Sequence, residues 1–180
     1  PCPPCVEQEK LRVEQEAAAY FRYKQDQAGI PKRYWQANVN ALMVETAMQG
    51  DMQRVAAQFI QTNGQRPSNL ILMGTLGSGK TFLACAIGNA FLHHKRSVKY
   101  LTMAGVSRLL RSTWGSRDTS EAEQFQAWVN TRLIVMDEVA HGTASEVTMA
   151  VDLIDARYAA HRPTVLIGNL TIMELTELLG

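Results

Sequence analysis

The chain is most informative first for what it does not contain. No apolar run approaches the ~20 residues needed to cross a bilayer, and the N-terminus lacks the charged-then-apolar order of a signal peptide. A soluble, cytoplasmic protein with no membrane partner is therefore expected. No internal repeat is visible, so 180 residues imply one domain with an appendage at most. The chain begins at Pro1 rather than Met, which suggests a stretch of something longer. Cysteine is scarce: Cys2, Cys5 and Cys85 are the whole supply. Two thiolates spaced as Cys2 and Cys5 can grip half of a tetrahedral zinc site, but no histidine or further cysteine lies nearby to finish it. Cys85 falls inside an apolar helix pattern and reads as a small core residue.

Acidic residues are missing altogether from 52–117, where nine Lys/Arg stand unopposed. Residues 1–51 carry six basic and seven acidic side chains, and residues 118–180 carry three and ten, so the net charge of +1 hides a −1, +9, −7 segregation. A nucleotide accounts for part of the basic excess, and an extended anion such as nucleic acid could use the rest. A solvated face balanced by the acidic third explains it equally well.

What the chain does contain is organised around Leu70-Ile-Leu-Met-Gly74-Thr75-Leu76-Gly77-Ser78-Gly79-Lys80-Thr81-Phe82. A short apolar strand runs into G-x-x-x-x-G-K-T, and the helix that follows has Leu83, Ile87 and Phe91 on one face. Glycines let the backbone curl with its N–H groups inward, and the helix offers the positive end of its dipole to the same phosphate. Residues 74–82 are thus the candidate nucleotide-binding segment, with Lys80 reaching the β- and γ-phosphates and Thr81 holding Mg²⁺. Leu133-Ile-Val-Met-Asp137-Glu138 is a buried strand ending in two carboxylates. Asp137 suits a water-mediated hold on Mg²⁺, and Glu138 suits a general base aiming the attacking water. Neighbours in a regular strand face opposite ways, so the base must sit where the strand ends. Asn169, at the tip of a strand beginning near Pro163, is a candidate for contact with the γ-phosphate or that water. Asn/Thr-Lys-x-Asp, the guanine-reading pattern, does not occur, which favours ATP over GTP.

Around these motifs strand and helix alternate, predicting an α/β fold of three layers with a central parallel sheet and right-handed crossovers. The expected elements are a long polar helix or linker over 7–27, two short helices over 41–49 and 51–62, strands near 70–73, 97–102, 133–137 and 163–168, and a short helix over 104–114. Ser120/Glu123, Thr143/Glu146 and Thr171/Glu174 each match the capping-box spacing that opens a helix.

Gly74–Thr81, the Asp137-Glu138 strand and Leu166-Ile-Gly-Asn-Leu170 resemble the Walker A, Walker B and sensor 1 motifs of AAA+ ATPases. The phrasing at Ala28–Pro31, Arg157-Tyr158, His161–Thr164 and Glu177–Gly180 is similar to DnaC/DnaI-type replicative helicase loaders and to the IstB-type transposition ATPase. Over residues 28–180 that resemblance implies a P-loop NTPase of the AAA+ class using ATP/ADP and Mg²⁺. It implies a role in DNA replication as loader of the replicative helicase onto single-stranded DNA, with self-association through the ATPase domain. Residues 1–30 would then be the end of an N-terminal module plus its linker helix, and 31–180 the AAA+ core. Cys2 and Cys5 would be the last two ligands of a zinc module. Leu76 stands where the family usually has Pro. The chain stops before the position of the family's arginine finger, so hydrolysis is expected to be slow. The alternatives are a transposition ATPase, a small-molecule P-loop kinase, for which no arginine-rich lid is evident, and a nucleotide-gated module that hardly hydrolyses.

For nucleic acid the candidate contacts are Arg108, Arg111 and Arg117, with Trp114 offering either a stacking ring or a core aromatic. For zinc the expectation is binding only in a protein extended upstream of Pro1. Metal analysis of that longer protein should find about one zinc per chain through Cys2, Cys5 and two upstream ligands; a folded, zinc-free sample rejects it.

Overall fold

A computed structural model describes residues 3–62, 69–106, 120–139, 143–169, 171, 173 and 174, with side chains from residue 7 onward. Helix α1 spans Pro3–Ala28 and α2 spans Ala47–Thr62, with 3-10 turns at Lys32–Tyr34 and Val39–Ala41 between them. Then come β1 (Leu70–Met73), α3 (Lys80–His93), β2 (Val98–Thr102), α4 (Glu121–Asn130), β3 (Leu133–Asp137), α5 (Ala144–Ala159) and β4 (Thr164–Gly168). The four strands form one parallel sheet in the order β1-β4-β3-β2.

Every residue of β3 and β4 is buried, as expected of central strands covered on both faces. Their side chains alternate between two cores. Leu133, Val135, Val165 and Ile167 join Phe59 of α2 and Leu83, Ile87 and Phe91 of α3. Ile134, Met136 and Leu166 join Trp128 of α4 and Ala150 and Leu153 of α5. The expected three-layer α/β architecture is therefore present, and Cys85 is buried in the first core, where desolvation raises its thiol to about 12.

Two elements differ from the sequence reading. Residues 41–49 and 51–62 do not make two helices. A single α2 begins after Thr46, whose hydroxyl accepts from Gln49 N–H at 3.2 Å while Gln49 Oε1 accepts from Thr46 N–H at 3.0 Å. That reciprocal cap sets the start, and Gly50 is carried within the helix at a cost of roughly 1 kcal/mol relative to Ala. The long helix α1 starts earlier than expected and is more than a solvated linker: its last turns pack on α3 and β2. It stops at Gly29, whose φ of 79° suits glycine, and a Cβ there would lie 3.0 Å from the Tyr100 carbonyl. Of the expected helix over 104–114, residues 103–106 are helical and the rest lie outside the described residues. The capping boxes hold: Ser120 and Glu123 bond reciprocally at 3.2 and 2.7 Å, Thr171 and Glu174 do so at 3.3 and 2.7 Å, and Glu146 accepts from Thr143 N–H at 2.7 Å.

The acidic-third layer is pinned by a fully buried arginine. Arg157 of α5 donates to the carbonyls of Trp128 (2.6 Å), Val129 (3.2 Å) and Thr131 (2.8 Å) at the end of α4, to Pro163 O (2.6 Å) and to Thr164 Oγ1 (3.0 Å). Burial lowers its guanidinium to about 10, so it stays charged at neutral pH among neutral oxygens. Arg157→Met would fill the volume and withdraw the donors from five oxygens, most of them buried. We expect a loss of about 3 kcal/mol or more in unfolding free energy, read as a lowered urea midpoint at unchanged m-value.

Candidate functional site

The parallel register brings the C-terminal ends of the strands to one edge: Met73 lies beside Gly168, and Thr102 beside Asp137. Ligands of open α/β sheets bind outside such an edge. A cavity of about 540 Å³ opens there, lined by residues 76–82 of the glycine loop, Asp137, Glu138 and Asn169, and also by Tyr100, Thr102 and the segment Pro31, Arg33, Tyr34.

The glycine loop has the conformation its motif requires. Gly74, Gly77 and Gly79 take φ of 141°, 79° and 88°, in the region that penalises a Cβ. At Gly79 a Cβ would also meet Leu42 Cδ1 at 3.0 Å. Lys80, 6% exposed, opens α3 and turns its ammonium onto Gly74 O (2.8 Å), Thr75 O (2.7 Å) and Ser78 Oγ (3.2 Å). Burial lowers its pKa, against an opposing pull from Asp137. Gly74 and Thr75 are not part of the cavity lining and their carbonyls aim the lysine, while Leu76, 85% exposed, does line it.

Asp137 is the hub of the opposite wall. Its Oδ2 accepts the Thr81 hydroxyl at 3.2 Å and the Tyr100 hydroxyl, and its Oδ1 accepts the backbone N–H of Glu138 at 2.8 Å. Burial first, and the bond to Asp137 second, push the Tyr100 phenol well above its ordinary pKa, so it remains a donor. Glu138 has φ of 62°, a left-handed conformation that L-residues seldom adopt. Strand alternation ends at Asp137, and the reversed backbone turns Glu138 toward the same cavity.

Sequence reasoning named Lys80, Thr81, Asp137, Glu138 and Asn169, and all five line this one cavity. It missed Tyr100, whose neighbourhood to Asp137 depends on the β2–β3 pairing, and the 31–34 wall, which comes from a segment more than 40 residues before the loop. The aromatic pair Tyr34-Trp35 was the available signal for that wall. Arg108, Arg111, Trp114 and Arg117 lie outside the described residues, as do Cys2 and the side chain of Cys5. Among the described residues no cluster of three or more His, Cys, Asp or Glu is arranged to hold a metal. The hydroxyl of Thr81 and carboxylate of Asp137 are hard oxygen donors, the set Mg²⁺ takes alongside substrate phosphates.

Backbone strain at Glu138 is measurable. Glu138→Gly relieves it and Glu138→Ala keeps it, so the glycine variant should be the more stable of the two by about 1 kcal/mol, net of its extra chain entropy. Urea unfolding of the pair checks this; equal stabilities mean no strain is held there.

Comparison with known proteins places the chain among relatives. The family described as IstB-like ATP binding protein matches residues 10–180. The replicative helicase loader DnaC of Escherichia coli K12 is 28% identical over 157 residues, which are 86% of this chain and 64% of that protein. DnaC of Buchnera aphidicola from Schizaphis graminum is 24% identical over 85% of this chain and 63% of its own. The chain therefore spans somewhat under two thirds of the length of these relatives. Among solved structures, a DnaC helicase loader superposes with a TM-score of 0.71 at 21% identity, covering 83% of this chain and 90% of that one. AMPPCP-bound DnaA from Aquifex aeolicus superposes with a TM-score of 0.68 at 16% identity, covering 81% and 45%. These superpositions carry the fold, a parallel α/β sheet flanked by helices that is shared with DnaC and DnaA, and the match over residues 10–180 carries the kinship: the chain belongs to the IstB-like ATP-binding protein family.

Proposed function

We propose that this chain binds and hydrolyses ATP and acts in DNA replication as a loader of a replicative helicase onto single-stranded DNA. The observation that carries the ATPase reading is the convergence, in one cavity, of a buried lysine on a glycine loop, a Thr81–Asp137 pair at 3.2 Å and a carboxylate turned in by a left-handed residue. The loop N–H groups and Lys80 would bind the β- and γ-phosphates, since an ammonium on neutral carbonyls gains a charged partner when a phosphate arrives. Thr81 and Asp137 would hold Mg²⁺, which when bound neutralises charge building on the phosphate oxygens. Tyr100 and the Glu138 N–H keep the Asp137 carboxylate oriented. Glu138 would take the proton of the attacking water, and Asn169 would hydrogen-bond that water or the γ-phosphate.

The loader assignment rests on likeness to the relatives named as helicase loaders. Under it, residues 1–30 end a helicase-binding module, residues 31–180 are the AAA+ core, copies associate through that core, and Arg108, Arg111, Arg117 and Trp114 contact single-stranded DNA. Cys2 and Cys5 complete a zinc module with upstream ligands.

Lys80→Ala should lower Mg·ATP affinity about a hundredfold, and calorimetry giving parental affinity would reject Lys80 as the phosphate anchor. Glu138→Gln should bind ATP normally and hydrolyse it about 10²–10⁴ times more slowly; normal turnover puts the base elsewhere. Replacing Arg108, Arg111 and Arg117 by Ala should flatten the salt dependence of single-stranded DNA binding, the log–log slope falling by up to about 2. An unchanged slope assigns the basic segment to the nucleotide and to the protein's own acidic third.

A further inference from the structure

One polar group buried in the first core has no part in the chemistry above. Asn89 sits on α3 among Leu83, Ala86, Ile87 and Phe91 and is 4% exposed. Gln25, 1% exposed, comes from α1, 64 residues earlier. The Gln25 amide nitrogen donates to Asn89 Oδ1 at 2.8 Å and to the Trp35 carbonyl at 2.8 Å. The Asn89 amide nitrogen donates in turn to the carbonyls of Tyr34 (3.0 Å) and Ala37 (2.9 Å). Buried amides are kept only where every partner is met, and here both serve one short segment.

That segment is the non-phosphate wall of the cavity. Pro31, Arg33 and Tyr34 line it, and the Tyr34 ring meets Phe82, next to Thr81, edge-on at 6.4 Å between centroids. The segment has only a three-residue 3-10 turn of its own; the Tyr34 carbonyl also accepts Ala37 N–H at 3.0 Å, while the Trp35 and Ala37 carbonyls are met by the two buried amides. Asn89 is nine residues beyond Lys80 on the same helix, about 13 Å along its axis at 1.5 Å per residue. It therefore acts on the wall and stays clear of the phosphate loop. The end of α1 is also held on β2, through Lys99 Nζ on Gln27 O at 3.1 Å and the close approach of Gly29 to Tyr100 O.

We infer that Gln25 and Asn89 are positioning residues for the nucleoside end of the bound nucleotide, and that through Gln25 the occupancy of that end is coupled to the placement of α1. The inference rests on the reading that this cavity takes ATP. An incoming base that packs on the 31–34 wall favours the arrangement in which the three carbonyls are held, and that arrangement requires α1 docked. Conversely, an α1 pulled from the core withdraws the Gln25 amide and loosens the wall. Differential affinity for the docked and undocked states is all that such coupling needs.

The test compares ADP with Mg·tripolyphosphate, which has the phosphates and lacks the nucleoside, on this chain and on Gln25→Met and Asn89→Asp. Gln25→Met keeps shape and removes the donor; Asn89→Asp keeps shape and turns the donations to Tyr34, Trp35 and Ala37 carbonyls into repulsions. The expected result is an ADP affinity about tenfold weaker in each variant, with tripolyphosphate affinity unchanged. In the parent, ADP should also slow tryptic cleavage after Arg22 and Lys24 of α1, and in Gln25→Met that protection should vanish. Equal loss for both ligands, or protection by tripolyphosphate as strong as by ADP, overturns the inference, because it shows a general loosening. Unchanged ADP affinity in both variants overturns it alone. A parent that binds neither ligand removes the ATP reading and the inference with it.

Discussion

Two carboxylates consecutive in sequence have to face one cavity, and a β-strand forbids it. Everything at the C-terminal edge of the sheet follows from how that conflict is resolved. β3 is buried at all five positions, so its last residue, Asp137, is fixed by pairing with Thr102 on one side and by the core on the other. The next residue can join it only by leaving the extended region, and Glu138 does so at φ of 62°. An outlier of this kind costs of order 1–3 kcal/mol and survives when the surroundings determine it. Here the determinant is visible: the Glu138 N–H is drawn onto Asp137 Oδ1 at 2.8 Å, so the strain that aims one carboxylate also orients the other. Tyr100 and Thr81 then occupy Oδ2, leaving the hub with a single arrangement.

Rigid placement of that kind needs layers that do not slide, and two buried polar groups supply it from opposite sides of the sheet. Arg157 joins the end of α4 to the start of β4, and the Gln25–Asn89 pair joins α1, α3 and the 30–37 segment. Either would be costly unmet, since desolvating a charge or an amide exceeds the net worth of an ordinary hydrogen bond. Met, their value lies in specificity, because an apolar contact tolerates slippage and a five-acceptor guanidinium does not.

The parts of the site legible in the sequence are those whose physics is local. Gly74–Thr81 announces itself because its glycines, lysine and threonine act within eight residues, and the three capping boxes span four residues each. Asp137-Glu138 was readable as a strand exit, including the need for the second acid to lie beyond the strand. Tyr100, Arg157 and Gln25 were invisible as functional or organising residues, since a tyrosine in a strand, an arginine in a helix and a glutamine in a polar helix look ordinary until pairing brings acceptors from 37, 26–29 and 64 residues away. The single helix over Ala47–Thr62 shows the opposite case: a cap at Thr46 starts one helix that carries Gly50 inside it, where the sequence suggests two.

Charge segregation also reads differently in three dimensions. Of the nine bases in 52–117, Lys80 faces the cavity, but Lys95 and Arg96 precede β2 at the far edge of the sheet, and Lys99 caps the last turn of α1. Arg132 and Arg162 precede β3 and β4 at that same far edge, and burial first, then the nearby charges of Arg162 and Arg96, lower the Arg132 pKa. In a parallel α/β fold this is the edge where helices end. α3, α4 and α5 finish at His93, Asn130 and Ala159, so their negative dipole ends converge where the bases gather. Their N-termini point the other way and carry Glu121, Glu123 and Glu146 in the first turns of α4 and α5, while α3 begins with Lys80 and has no acid in its first turn. Of these three sheet-crossover helices, the one without an N-terminal acid is α3, whose dipole faces the cavity. An anion placed there meets an uncompensated helix terminus and a lysine, and the two carboxylates opposite make that site favourable to a phosphate only in company with a cation.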